Sequence, residues 1–262
     1  MKRFSSFLGL LSIAFLILGF GQSAYAQTSR TWVSALGSNI NPCTQVAPCR
    51  TFDRAINMSA AGGEINAMDD GDFGTVTIRK ALTINGGGHL AGVLAGVPGE
   101  NGIIVNAGVS DAVVLRGLTF TGVNSGGGGS PFNAVRYLAG GYLVVENSTI
   151  TGYTNGINLT SLAVNGRLDI RNVTMTNTAG LTPSHGIFVG AANSIVTIRN
   201  ATARGFTYGI RTGNGQTYMR DSDMVGNMQA YLNGGGTLFS YGDNMFSGGG
   251  ATDTPGGSIT RY

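Results

Sequence analysis

The sequence predicts an all-β chain of stacked coils, each coil holding three short strands. Three observations lead there. A strand-like segment recurs along the chain, most plainly as "RLDIRNVTMTN" (167–177) and "IVTIRNATARG" (195–205). Each copy carries a turn-forming residue at its centre, where an isolated strand has no use for one. Glycine makes up 44 of 262 residues while charged residues make up only 11%, and a chain this poor in charge and rich in Val, Ile, Leu and Thr is not disordered. The glycines therefore turn strands.

The first 26 residues have the layout of a secretory signal peptide: Lys2 and Arg3, an apolar stretch from about Leu8 to Phe20, then Ala24-Tyr25-Ala26. The apolar run is short for a span of roughly 20 residues. No second run of that length follows, so no membrane span is expected after cleavage, and the expected location is secreted or periplasmic. Removal of this segment leaves 14 basic against 13 acidic residues. That balance gives no electrostatic case for a nucleic-acid partner. Lys80 is the only lysine left, so the mature positive charge is carried by placed guanidinium groups.

Cys43 and Cys49 lie in "NPCTQVAPCRTF". In an exported chain a disulfide closing this small loop is the expected state. Two cysteines with no nearby histidine lack the spacing of a metal or redox pair.

The repeats follow from about residue 75 to residue 248. Aligned on their central turn they read "AVVLRGLTFTG" (112–122), "YLVVENSTITG" (142–152), "RLDIRNVTMTN", "IVTIRNATARG", "TYMRDSDMVGN" (217–227) and "LFSYGDNMFSG" (238–248), with "VTIRKALTINGG" (76–87) as an earlier relative. A third segment recurs between them: "NGIIV" (101–105), "NAVRY" (133–137), "NGINL" (155–159), "HGIFV" (185–189), "YGIRT" (208–212) and "QAYLN" (229–233). Alternation puts Leu168, Ile170, Val173, Met175, Ile187 and Val189 inward, with Asp169, Thr174 and Phe188 outward. One trio of strands cannot bury such a face. Coils stacked at about 4.8 Å bury it along one axis.

The turn column reads Gly117, Asn147, Asn172, Asn200, Asp221 and Gly242. A corner between two strands needs the left-handed backbone region, which Gly, Asn and Asp tolerate. Stacked amides at Asn147, Asn172 and Asn200 can also bond from coil to coil. The same residues form glycosylation sequons, but the corner explains their spacing and the sequon does not.

These features resemble the right-handed parallel β-helix of the pectate-lyase-like superfamily, over about residues 30–248. The segment "RTWVSALGSNINPCTQVAPCRTFDRAINMSAAGGEINAMDDGDFGTVTIRKALTI" is similar to the entry of secreted bacterial β-helix proteins. The resemblance implies a single-stranded helix of about seven rungs and an entry region over 27–74, with a first strand and a short capping helix near Thr51–Ala60. Phe52, Ala55, Ile56 and Met58 would face the open end. A coil region over 75–248 and a loose tail or cap over 249–262 complete the expected organisation, and a monomer is expected.

The superfamily mixes lyases, hydrolases, binding proteins and shafts, so activity must be argued from residues. The outward column of the third segment reads Ile104, Arg136, Asn158, Phe188, Arg211 and Leu232. Arg136, Asn158, Phe188 and Arg211 are the candidate ligand-binding residues: guanidinium groups for carboxylates, the aromatic ring for a sugar face. The other reading is an assorted solvent face. A second outward column, Arg79, Arg116, Glu146, Arg171, Arg199 and Arg220, is either a basic groove or a partly paired ladder.

For catalysis the resemblance suggests two patterns. A polygalacturonase-like hydrolase needs clustered aspartates, Gly-His-Gly and Arg-x-Lys; "SHG" (184–186) and "GIRT" echo only the latter two. No carboxylate pair faces one glycosidic bond. A pectate lyase needs calcium and an arginine base. Arg211, His185 and Arg136 are the catalytic candidates, and Asp69, Asp70 and Asp72 the metal candidates, although the simpler role of those aspartates is the turn entering the first coil. His89 sits in a loop without an evident partner. The flexible "TGVNSGGGGSP" (121–131) could act as a lid. The expected function is binding or scaffolding of an acidic extracellular polysaccharide without a cofactor; the alternative is a pectate-lyase-like, calcium-assisted polysaccharide lyase.

Overall fold

Parallel hydrogen bonding between successive repeats dominates the computed structural model, which describes residues 27–123, 131–160, 166–178, 183–250 and 255–258. The signal-peptide segment, most of loop 121–131 and much of the tail lie outside the described residues. What is described is all-β apart from the helix Phe52–Met58. Its strands form two long sheets, of 15 and 7 strands, through parallel pairings consistent with a parallel β-helix.

In the larger sheet the strand Tyr142–Thr151 pairs with Arg167–Thr176 on both sides of the corner, from Tyr142↔Arg167 to Thr151↔Thr176. That strand pairs in turn with Ile195–Arg204, from Arg167↔Ile195 to Thr176↔Arg204. The smaller sheet stacks Val76–Ile78, Asn101–Asn106, Asn133–Ala139, Asn155–Leu159, His185–Val189, Tyr208–Thr212 and Gln229–Asn233 in chain order. All but Val76–Ile78 are the third segments of the repeats.

The corner has the backbone its residues suggest. Asn147, Asn172, Asn200 and Asp221 have φ of 50°, 52°, 50° and 49°, flanked along the column by Gly117 at 67° and Gly242 at 83°. Asn172 Nδ2 donates to Asn147 Oδ1 at 2.9 Å, and Asn200 Nδ2 donates to Asn172 Oδ1 at 2.8 Å. Inward of this exposed ladder, Leu168, Ile170, Val173, Met175, Ile187 and Val189 are buried in one continuous core.

A column of small residues occupies the second position of the third-segment strands in the smaller sheet. A Cβ on Gly186 would lie 2.5 Å from Gly209 O and 2.6 Å from Ala203 Cβ, and one on Gly156 would lie 2.5 Å from Gly186 O. Backbone meets backbone there, so the position after each Asn, His, Tyr or Gln is Gly or Ala.

The entry region is tied down locally. Thr51 caps the helix by accepting from Arg54 N, and Phe52, Ala55, Ile56 and Met58 are buried. The helix stops at Met58, short of the expected Ala60, because Ser59 already has extended backbone and begins the strand Ser59–Ala67. Lys80 Nζ donates to Ile56 O at 2.8 Å, satisfying a carbonyl of the last turn. Cys43 and Cys49 form a disulfide with Cα atoms 4.6 Å apart.

Two expectations need correction. Arg79 does not belong to the arginine column: Val76–Ile78 lies in the smaller sheet, and Asn85 stands opposite Arg116. The shared "TIR" letters misled, whereas inward alternation at Leu82 and Ile84 sets the pairing. Asp169 points outward as expected but is buried by its neighbours, at 4% exposure. In the tail, Gly257–Ser258 adds a short strand beside Thr237–Ser240.

Replacing Asn172 separates the two roles of the corner. Asn172→Gly keeps the left-handed backbone and loses the amide ladder, at an expected cost of about 1 kcal/mol. Asn172→Ala loses both and is expected to cost about 2–3 kcal/mol. Urea unfolding of the three proteins measures the order; equal losses for both variants would leave no role for backbone strain.

Candidate functional site

On the outer side of the smaller sheet, strand pairing aligns Thr77, Ile104, Arg136, Asn158, Phe188, Arg211 and Leu232 in one column. A neighbouring column aligns Asn101, Asn133, Asn155, His185, Tyr208 and Gln229. Contacts link the two. Asn158 Nδ2 donates to Asn133 Oδ1 at 2.9 Å, and the ring centroids of His185 and Phe188 are 5.1 Å apart.

The amides of the second column form a relay that fixes the histidine. Asn133 Nδ2 donates to Asn101 Oδ1 at 2.6 Å, and Asn155 Nδ2 donates to Asn133 Oδ1 at 3.1 Å. That donation orients Asn155, whose Oδ1 faces His185 N at 3.1 Å and His185 Nδ1 at 2.9 Å. An amide oxygen only accepts, so Nδ1 carries the proton and Nε2 keeps its lone pair. Nε2 is buried and has no hydrogen-bond partner among the described residues. Tyr208 stacks on the imidazole at 5.3 Å. Burial, with the charge of Arg211 adding to it, pushes the His185 pKa down to about 4. The ring is neutral at pH 7.

The four ligand-binding candidates divide. The Arg211 guanidinium lies over the Phe188 ring, 5.2 Å from its centroid. The tip of that ring sits against Gly190, where a Cβ would come within 2.9 Å of Phe188 Cζ. Phe188 is thus a platform for Arg211 more than an open sugar-stacking face. Asn158 is buried, donating to Asn133 and accepting from Thr160 Oγ1, so its amide is already used. Arg136 has no hydrogen bond or ion pair among the described residues. No carboxylate occupies either column. The amide–histidine column was missed as a unit although its signal is plain: the first letter of each third segment reads N, N, N, H, Y, Q.

The arginines of the larger sheet behave otherwise. Arg116, Glu146, Arg171, Arg199 and Arg220 do share one column. Glu146 holds Arg116 at 2.7 Å and Arg171 at 3.7 Å. Asp169 meets Arg171 directly and Arg199 at 3.8 Å, and accepts from Tyr142 at 3.2 Å. Burial alone would raise the Asp169 pKa; the hydrogen bonds from Arg171, Thr197 and Tyr142, with the Arg171 charge, carry it below the usual carboxylate value. This is a partly paired ladder.

The metal candidates are each occupied by local structure. Asp69 accepts from Ser34 Oγ at 2.5 Å and Ala35 N at 2.8 Å. Asp70 accepts from Leu90 N at 2.9 Å and lies 3.6 Å from His89 Nδ1, which gives that loop histidine a partner. Asp72 accepts from Gly74 N at 3.1 Å and Leu94 N at 2.9 Å. They hold turns, and no metal-binding group of three His, Cys, Asp or Glu forms among the described residues. No helix there is long and apolar enough to cross a membrane.

A depressed histidine pKa has a signed consequence. Between pH 6.5 and about 4 the unfolded chain takes up a proton at His185 that the folded chain refuses. Stability therefore falls as pH drops through that window. The slope should stay below the limit of about 1.4 kcal/mol per pH unit, since the ring is partly exposed. Urea midpoints at pH 7 and 4.5 should converge in His185→Gln relative to the parent; an unchanged pH dependence would refute the assignment. Comparison with protein-family models, curated proteins and solved structures finds no match.

Proposed function

We propose that the chain is an exported binding or scaffold protein for an acidic extracellular polysaccharide. Its fold in this reading is a right-handed, pectate-lyase-like parallel β-helix of about seven coils. The observation that carries the reading is the pairing of Arg136 and Arg211 in one column, three strands apart, with no carboxylate beside them. At the interstrand spacing they are separated by about 14 Å, a distance that spans several sugar units. Arg211 is held over the Phe188 ring, and in this reading its guanidinium meets a carboxylate through its N–H donors. Phe188 acts by positioning Arg211. The Asn133–Asn155–Asn158 network serves as a rigid floor, and the disulfide suits an oxidising, extracytoplasmic location.

A second reading, polysaccharide lyase, draws on the neutral His185 with its unpartnered Nε2 near Arg211. Such an enzyme would abstract a proton beside the uronate carboxylate, and the departing glycosidic oxygen would leave an unsaturated sugar end.

One experiment addresses both. Polygalacturonate and alginate should bind the protein while a neutral polymer such as dextran does not, and binding should weaken with salt. Arg136→Ala and Arg211→Ala should each lower uronate-polymer affinity about tenfold, corresponding to about 1.4 kcal/mol. Equal binding of neutral and acidic polymers would end the proposal. Ultraviolet absorbance that grows during the incubation would instead mark cleavage and favour the lyase.

A further inference from the structure

The outer side of the larger sheet carries an aromatic stack that stops beside open space. Strand pairing aligns Asp169, Thr197, Tyr218 and Phe239. The rings of Tyr218 and Phe239 are stacked at 5.0 Å and 16°. Beyond Phe239 the column continues with Gly257. On the other side comes Thr197, whose short side chain cannot cover the face of a tyrosine ring. The space above it is a cavity of about 150 Å³ lined by Thr197, Ile198, Arg199, Tyr218, Arg220 and Tyr241. A larger one of about 560 Å³ shares Thr197 and Arg199 and reaches Tyr142, Arg167 and Asp169. That size is within the range of small-ligand sites.

The charges around this slot are unevenly satisfied. Asp169 spends Oδ2 chiefly on Arg171 and the Tyr142 hydroxyl, and reaches Arg199 only at 3.8 Å. The Arg199 side chain stays 46% exposed, and Arg220, at 3.6 Å from Asp221, stays 47% exposed. The lining thus offers a ring face, guanidinium groups with spare donors, and the hydroxyl of Tyr241.

We propose that this slot binds a single uronate sugar ring, which extends the Phe239–Tyr218 stack by one member and places its carboxylate on Arg199. The next position in the column lies at the interstrand spacing of about 4.8 Å, which is also a comfortable stacking distance for a ring. Arg199 recognises the carboxylate through paired N–H donors. The hydroxyl-bearing rim favours a sugar over a plain aromatic acid. The slot is separate from the Arg136–Arg211 face, so either site can fail while the other stands.

Saturation-transfer NMR titration of the protein with galacturonate, glucuronate and neutral galactose tests the proposal. The uronates should bind at least tenfold more tightly than galactose. Thr197→Tyr should fill the slot with a third stacked ring and weaken uronate binding at least tenfold, with the β-sheet circular dichroism retained. Arg199→Gln, which leaves the slot open, should reduce uronate affinity to that of galactose. The double variant Arg136→Ala/Arg211→Ala should bind the monosaccharide as the parent does. Uronate and galactose bound alike, undiminished uronate binding by a folded Arg199→Gln or Thr197→Tyr, or loss of binding in the double variant would each overturn the assignment.

Discussion

A left-handed bend repeated at one point of each repeat is the constraint on which the larger sheet depends. Placing an ordinary L-residue there costs roughly 1–2 kcal/mol. Asparagine lowers that cost and adds the amide bonds Asn172–Asn147 and Asn200–Asn172. Because the bend falls at the same position in each ten-residue strand, pairing runs unshifted on both sides of it. A slip of one residue would exchange Leu168 and Ile170 for Asp169 and Arg171 in the core. Corner and core therefore enforce the same register.

Register of this kind sets a problem for charged residues, since each outward side chain has a like neighbour about 4.8 Å away. The two sheets meet it differently. In the larger sheet Glu146 and the buried Asp169 interleave with Arg116, Arg171 and Arg199, and the low pKa of Asp169 follows from those hydrogen bonds overcoming its burial. In the smaller sheet amides and rings separate the arginines: Asn158 and Phe188 stand between Arg136 and Arg211. The first arrangement consumes the charge of Arg116 and Arg171 and leaves Arg199 only loosely paired, whereas the second leaves both arginines available. That difference is why the polymer proposal rests on the smaller sheet's two arginines and not on the longer stripe.

How much of this was legible in the sequence depended on whether periodicity or depth was being read. The corner column, the inward alternation and the third-segment column all follow from spacing, and the strands pair as those columns require. Arg79 falls outside the column because the letters it shares with later repeats do not carry their inward residues; Leu82 and Ile84 carry the alignment. Asp169 and Asn158 were expected at the surface. Alternation says which way a side chain leaves the strand, but not how deeply its neighbours cover it. Partners are harder still: nothing in "HGIFV" says that Arg211 will occupy the Phe188 ring or that Asn155 will fix the His185 proton.

Under the proposed reading, rigidity decides what kind of ligand the smaller sheet can recognise. Arg136 and Arg211 ride on strands locked by backbone bonds above and below, and Arg211 is further held by Phe188. Their strands cannot shift to bring the two guanidinium groups together on one small anion. The pair rewards a polymer whose carboxylates recur at a compatible distance, because the second contact then forms at high effective concentration. A short or irregular anion engages only one arginine at a time and gains little. Selectivity on this face accordingly resides in charge spacing along the chain axis, whereas the slot beside Tyr218 selects by the shape and charge of one ring.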